Sequence, residues 1–185
     1  KTASGNYDEK ESILLAKEIA KQLFEGRGSV SQPFFVRAAE DIVAKVLIHL
    51  LRTEKENTKK YRLSTEDFVT YIQQANARTY HEMLNRYDDF KSAAMYIGLK
   101  KDGSMLGGQG LGVIAEINSM VNDLFIRPFA ENYDNGSISI RELVRKKQKK
   151  MIFIEYDVSV GKILEPMYRI LFDLALKETL GPECK

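Results

Sequence analysis

The sequence is poor in cysteine and tryptophan: its 185 residues contain one Cys and no Trp. Because a disulfide needs two thiols, Cys184 cannot form one within this sequence, and a solitary thiol fits a reducing compartment such as the cytoplasm. Folding therefore has to rest on a hydrophobic core. A hydrophobic content of 44% over this length is enough for one domain of ordinary size.

Long apolar runs and a dominant charge are also missing. No apolar stretch approaches the roughly 20 residues needed to cross a bilayer, and residues 1–8 lack the apolar segment of a signal peptide. The 28 Lys and Arg nearly balance the 26 Asp and Glu. We therefore predict a soluble chain in which any electrostatic function comes from local clusters of charge.

No complete phosphate-binding motif is present. The glycine run 107–112 precedes a predicted helix, but a dinucleotide-binding loop follows a strand and is closed by an acidic residue, whereas here a helix precedes the run. Gly161 and Lys162 match the end of an ATP-binding loop, yet Ile163 stands where Ser or Thr has to bind magnesium. The sequence therefore predicts no nucleotide site.

Catalytic and metal sites are not indicated either. His49 and His81 lie in helical segments without a second ligand at metal spacing, so we interpret both as surface or boundary residues. The pattern Ile152–Glu155 occurs in magnesium-binding strands, but also in any buried strand that ends at a carboxylate. No nucleophile has a predictable base beside it. We expect no catalytic residue, cofactor or metal in this chain.

Helical periodicity dominates the sequence. Apolar residues recur every three or four positions, which predicts amphipathic helices, and Ser64 followed by Asp67 has the pattern of a capping box. The glycine-rich stretch 100–112 is predicted to be a loop. Helices are expected over 11–24, 34–51, from 64 onward, 80–99, 111–126, a short stretch from 139, and 164–180. A break near Asp88, and a single bent helix that runs from 64 to 99, are alternatives for this part of the chain.

One segment departs from this pattern. Met151–Tyr156 is continuously apolar up to Glu155 and predicts a buried strand, followed by a loop and the last helix. The predicted fold is a mainly α multi-helix bundle over 1–150, with one strand-loop-helix unit over 151–185. A lone strand needs a partner, so we expect another chain or the N-terminal tail to cover it, or disorder. The oligomeric state is then a monomer or a strand-mediated dimer.

Two local clusters of positive charge stand out. Residues 52–62 contain five cations and two acids, a net charge of +3. Residues 141–150 contain six cations against Glu142, a net charge of +5, and this second cluster is the candidate nucleic-acid-binding site because phosphate contacts require concentrated Lys and Arg. A solvated helix end is the alternative interpretation. The candidate residues are Arg141, Arg145, Lys146, Lys147, Lys149 and Lys150.

Several segments together resemble a known family, namely Phe34–Ala39 at the head of a long helix, the glycine loop, Ser137–Glu142, Ile152–Asp157, and Pro166–Arg169 with Asp173. Read in order, they are similar to the type IV secretion coupling proteins of the TraG/TraD kind. In that family a membrane-anchored, hexameric ATPase of RecA-like fold links the DNA-processing complex to the secretion channel in conjugation. An all-α domain is inserted into its nucleotide-binding domain.

The resemblance implies that this chain is the all-α insertion, with a strand and a helix left over from the α/β parent domain. It implies a role in receiving substrate, whether DNA, the relaxase or accessory proteins, at the cytoplasmic face of the membrane. ATP and magnesium are implied for the full-length parent only, since no catalytic residue of the family has a counterpart here. A free-standing helical adaptor that binds another protein, and an enzyme with a spatially assembled site, stay open as alternatives.

Overall fold

The computed structural model describes residues 8–27, 33–58, 63–100, 107–125, 140–145, 151–154, 158–159 and 161–180. Within these ranges the chain is mainly helical, with seven α helices and one 3₁₀ helix. It divides into two compact units, Lys1–Asn132 and Tyr133–Lys185. The α helices are α1 Glu9–Phe24, α2 Pro33–Thr58, α3 Thr65–Gln74, α4 Ala77–Arg86, α5 Gly108–Leu124, α6 Ile140–Arg145 and α7 Gly161–Leu180, and the 3₁₀ helix is Asp88–Ile97.

Helix α2 is the centre of the first unit, as its broad apolar face predicts. It packs against α1, α3, α4, α5 and the 3₁₀ helix. The core residues of α2 are spaced for one buried face, and the facing helices contribute large apolar side chains to the same core. The fully enclosed side chains of this core include Leu23, Ile42, Val43, Val46, Ile72, Tyr80, Leu84, Phe90, Ile97, Ile117, Met120 and Leu124.

Polar caps set where the helices of the first unit begin. The Ser64 hydroxyl accepts from the Asp67 N–H at 3.1 Å, and the Asp67 carboxylate accepts from the Ser64 N–H at 3.1 Å, so the capping box predicted for α3 is confirmed. Asn76 caps α4 by accepting from the Arg78 and Thr79 N–H groups. Because Ala75 and Asn76 are both extended, α3 and α4 are two separate helices.

The break expected near Asp88 is confirmed, and the helix that follows is of the tighter 3₁₀ type. Tyr87 is extended and separates α4 from Asp88–Ile97. Tight 3₁₀ turns leave Phe90, Ala93 and Ile97 buried against the core, while Met95 is exposed. The sequence predicted an α helix on both sides of this break, and the structure has a 3₁₀ helix in place of the second one.

The second unit contains α6 and α7, which pack on each other. The prediction of a strand at 151–156 is wrong for Met151–Ile154, since these residues have no regular secondary structure and are exposed. Residues 155–156 lie outside the described ranges. A strand forms only where a neighbouring strand takes up its N–H and C=O groups, and none is formed in the described part of the chain. The strand-loop-helix unit therefore reduces to helix α7.

Candidate nucleic-acid interface

The basic cluster at 141–150 begins in helix α6. The backbones of Arg141 and Arg145 lie on this helix, which ends at Arg145. Lys146, Lys147, Lys149 and Lys150 follow at once but lie outside the described residues. The shared helical face predicted for Arg141, Arg145 and Lys149 therefore stays a prediction. What the structure places is the start of the cluster, from Arg141 to Arg145, along a short helix in the second unit.

Arg145 has an internal partner. Its Nε donates to the Glu178 Oε2 at 2.6 Å, and the two side chains are 25% and 11% exposed. Arg145 is the last residue of α6 and Glu178 lies in the last turn of α7. The cation is favourable at a helix carboxyl end, whereas the carboxylate is not, so the pair offsets the charge of Glu178 there. Arg145 thus ties α6 to α7.

The other basic stretch, 52–62, is neutralised where the structure describes it. Arg52 donates from both terminal nitrogens to the Asp89 carboxylate at 3.0 and 2.9 Å, and from Nε to Glu9 at 3.0 Å. Its guanidinium carbon lies 4.7 Å from the Tyr87 ring centroid. Bonding to Asp89 raises the pKa of Arg52, and the same contact lowers the pKa of Asp89. This arginine clamps α1 and the 3₁₀ helix onto α2, and its donors are occupied.

An open cleft of about 640 Å³ surrounds this clamp. Its charged lining comprises three cations and four acids, so its formal charge is slightly negative. Phosphate would be repelled rather than attracted by such a lining. The lining residues are Glu9, Arg52, Lys55, Glu56, Arg86, Tyr87, Asp88 and Asp89.

His49 lies between two aromatic rings, one of which, Tyr87, lines the cleft. Its ring centroid is 5.7 Å from that of Tyr71 and 5.8 Å from that of Tyr87. Burial, helped by the positive charge of Arg86, lowers the pKa of His49 to about 4. Its Nδ1 is buried without a hydrogen-bond partner in the described part of the chain. The imidazole is therefore neutral at physiological pH and packs as part of an aromatic cluster, which agrees with its interpretation as a boundary residue.

Sequence reasoning missed a group of three aromatic rings at the edge of the first unit, of which Phe34 is exposed and Phe35 and Tyr96 are half-buried. Phe34, in the first turn of α2, is 44% exposed and packs edge to face on Phe35 and on Tyr96, with centroid distances of 5.5 and 5.9 Å. We call these three rings the aromatic surface. Phe34 is one turn before the buried Ala38, so helical periodicity alone places it in the core. Only the position of the 3₁₀ helix, which brings Tyr96 to it, shows that it lies at the edge.

No group of three or more His, Cys, Asp or Glu among the described residues is placed to hold a metal ion. Of the helices described, none combines the length and the apolar character that spanning a bilayer requires.

The family model for the type IV secretion-system coupling protein DNA-binding domain matches residues 6–184. The chain belongs to this family. Neither a curated protein nor a solved structure matches it at a significant level. The match spans both compact units, so this coupling-protein domain includes α6, α7 and the segment between them as well as the helical bundle. The resemblance on which the sequence was assigned to coupling proteins is confirmed, and DNA is a ligand class of the domain.

Within this coupling-protein domain, two surfaces of different chemistry are candidates for the DNA contact. The basic cluster at 141–150 offers cations for phosphates, and the aromatic surface offers rings. The Arg52 cleft is excluded from the candidates by its bound guanidinium and its surplus of acids. Nothing in the described residues assigns a reacting group to either candidate.

Proposed function

We propose that this chain receives the transferred DNA in a conjugative coupling ATPase and contacts its phosphates through the basic cluster at 141–150. The family match over residues 6–184, with its description as a DNA-binding domain, is the observation that carries the proposal. The local charge of +5 supplies the chemistry, because Lys and Arg that neutralise phosphates release condensed counterions. Relaxase and accessory proteins of the transfer complex are proposed as further partners.

The cations of the cluster have different roles in this proposal. Arg145 is held by Glu178, so it fixes the point at which the lysine-rich segment leaves α6. Lys146, Lys147, Lys149 and Lys150, with Arg141, supply the phosphate contacts. Since neighbouring residues cannot all face one strand, two or three simultaneous contacts are expected. With a slope near −0.7 per contact for single strands, affinity falls about 7- to 20-fold between about 50 and 200 mM salt.

The test is a fluorescence-anisotropy titration of a labelled oligothymidine at both salt concentrations. Replacing Lys146, Lys147 and Lys149 together by Ala should abolish most of the binding at low salt. The matched control replaces three exposed lysines on α1, Lys10, Lys17 and Lys21, which removes the same charge from another surface. If both triple variants lost the same affinity for the oligothymidine, the loss would be an effect of net charge rather than of this cluster. If the first variant bound with unchanged affinity, the cluster would not contact the DNA.

The second unit is proposed to pack on the nucleotide-binding domain of the parent ATPase. The described residues of this unit bury one large apolar side chain, Leu164, whereas many others are exposed. Phe172, Leu176 and Leu180 form an exposed stripe along one face of α7, and Met151–Ile154 add a second apolar surface. These surfaces suit a sheet and its flanking helix. The parent is proposed to be hexameric and anchored at the cytoplasmic face of the membrane.

Nucleotide chemistry is assigned to that parent domain rather than to this chain. A phosphate-binding loop ends in Gly-Lys-Ser or Gly-Lys-Thr, and the sequence contains neither. We expect no ATP hydrolysis by the isolated chain. Calorimetric titration with magnesium-ATP tests this expectation, and binding in the micromolar range would overturn it.

A further inference from the structure

Phe34 is the exposed ring of the aromatic surface, and Phe35 and Tyr96 are half-buried beside it. In this unit only Leu14, Phe34, Met95 and Leu111 are large apolar side chains that stay exposed among the described residues. Two of these four residues belong to the aromatic surface or are next to it in sequence. Phe34 belongs to it, and Met95 precedes Tyr96. An aromatic ring that stays exposed at the edge of a well-packed core is available to contact a ligand.

The rings are held in place before any ligand arrives. Phe34 makes edge-to-face contacts with two neighbours at 74° and 77°, an arrangement that aromatic pairs favour. The Phe35 ring in turn lies against α5 at Gly112, where an added Cβ would be 2.7 Å from the Phe35 Cε1. Each ring is thus fixed by a different element of the bundle, so little side-chain entropy is lost when a planar group stacks on the surface.

Two exposed cations are close to the rings in sequence. Arg37 is one helical turn after Phe34 on α2, and Lys100 comes four residues after Tyr96. Glu40, one turn further along α2, has a pKa that burial raises and that the charges of Lys21 and Arg37 oppose, and Asp41 is bound to Lys45. Rings flanked by cations are the combination with which proteins hold single-stranded nucleic acid, since the rings stack on bases and the cations track the phosphates.

The size of the surface also favours a base over a protein. A large aromatic side chain offers roughly 150–250 Å², so the exposed part of Phe34 is on the order of 100 Å². A stable protein interface needs about 800 Å² on each partner. One or two unpaired bases match the smaller area.

We infer that the aromatic surface is a stacking platform for unpaired bases of single-stranded DNA, with Phe34 as its principal ring and Arg37 and Lys100 beside the phosphates. The inference rests on the proposed DNA-binding function and adds a second contact region with a different chemistry. Stacking is insensitive to salt and needs open base faces, so the platform selects single strands over duplexes. The basic cluster at 141–150 cannot make that distinction through phosphates alone.

The absence of Trp from the sequence permits a direct test. The Phe34→Trp variant carries the single indole of the chain, and its emission should be quenched when an oligothymidine stacks on it. A duplex of the same length should quench it far less, because its bases are already stacked. The matched control is Leu14→Trp, at a residue of α1 that is 68% exposed and remote from the rings in sequence. Its emission should not change.

Affinity gives a second readout. Phe34→Ala should weaken oligothymidine binding about fivefold or more, whereas Phe34→Tyr should retain it. Circular dichroism and urea unfolding establish that the variants are folded. The inference would be overturned if the chain bound the oligothymidine by anisotropy, the indole of Phe34→Trp were not quenched, and Phe34→Ala bound with unchanged affinity. That result would leave the proposed function intact. If the unsubstituted chain bound no oligonucleotide at low salt, the inference and the proposed function would both be overturned.

Discussion

The Arg52 guanidinium is bonded to both oxygens of the Asp89 carboxylate, across 37 residues of sequence, while its face lies over the Tyr87 ring. The bidentate contact joins the second half of α2 to the 3₁₀ helix, and a third bond to Glu9 adds the start of α1. Three segments that are distant in sequence are therefore fixed by one side chain, which is 15% exposed. Arg52 belongs to a basic stretch that resembles a phosphate-binding site in sequence, but in the structure it holds three helices together.

Because Arg52 holds these helices together, we expect a substitution that keeps its charge but changes its geometry to lower the stability of the fold. Arg52→Lys removes the paired geometry and the ring contact, because an ammonium group is a point charge without a planar fork. We expect a loss of about 1–2 kcal/mol in the free energy of unfolding, measured by urea denaturation. The control is Arg78→Lys, whose pair with Glu82 is exposed on α4 and should cost less than about 0.5 kcal/mol. Equal effects would contradict the role of Arg52.

Gly112 makes the second prediction. It lies in α5, where Ala normally stabilises a helix by about 1 kcal/mol over Gly. Here an added Cβ would be 2.7 and 2.9 Å from two atoms of the Phe35 ring, so the ring would have to move. We expect Gly112→Ala to lower the free energy of unfolding by about 1–2 kcal/mol, since overpacking outweighs the helical gain.

The comparison for this prediction lies four residues away on the same helix. An added Cβ at Gly108 would have no neighbouring atom within 4 Å, so Gly108→Ala should leave the free energy of unfolding unchanged or raise it. Thermal and urea unfolding of both variants measure the two effects. Combining Gly112→Ala with Phe35→Leu should recover part of the loss. A stabilising Gly112→Ala would show that the ring moves away without strain.

The pH dependence of stability should carry the signature of His49. Its pKa is lowered from 6.5 to about 4 in the folded state, mainly by burial. Between these values the unfolded chain binds a proton that the folded chain does not, so the free energy of unfolding falls as the pH falls from about 6.5 to 4. Asp89, with its lowered pKa, adds a loss of stability in more acidic solution, whereas Glu40, with its pKa raised by burial, acts in the opposite direction.

His49→Phe keeps an aromatic ring against Tyr71 and Tyr87 and removes the titrating nitrogen. The slope of stability against pH between 6.5 and 4 should become shallower in this variant, while stability at pH 7 stays equal or rises, because a buried nitrogen without a partner is lost. His81→Phe, at a site where the imidazole lies by Asn85 on α4, is the control. A slope that does not change in His49→Phe would assign the pH dependence to the carboxylates.

Much of the first unit follows from local sequence, because its helices are specified by residues close together. The spacing of apolar residues in α2 predicts its central position, and Ser64 with Asp67 predicts the start of α3 at the correct residue. The Arg52–Asp89 contact could not be predicted in this way. It depends on how the 3₁₀ helix packs against α2, and a tight helix at 88–97 has the same apolar content as the α helix predicted there.

The strand predicted at 151–156 failed for a related reason. The sequence shows that Met151–Ile154 are all apolar, but an apolar run forms a strand only when a neighbouring strand pairs with its backbone N–H and C=O groups. The same limit applies to Arg145. Its charge placed it in the candidate DNA site, but its ion pair with Glu178 joins residues 33 positions apart and shows only in the folded chain.

Separate roles for Arg145 and Lys149 give the last prediction. Each carries one positive charge in the cluster, yet Arg145 is bound to the largely buried Glu178. Arg145→Gln removes this ion pair between α6 and α7, so amide hydrogen exchange in the two helices should accelerate while oligothymidine affinity changes less than twofold. Lys149→Gln should have the reverse effect, with unchanged exchange and a salt slope smaller by about 0.7, the value of one phosphate contact. If Arg145→Gln lost affinity and kept its exchange rates, Arg145 would be a phosphate ligand and its pair with Glu178 would break on binding.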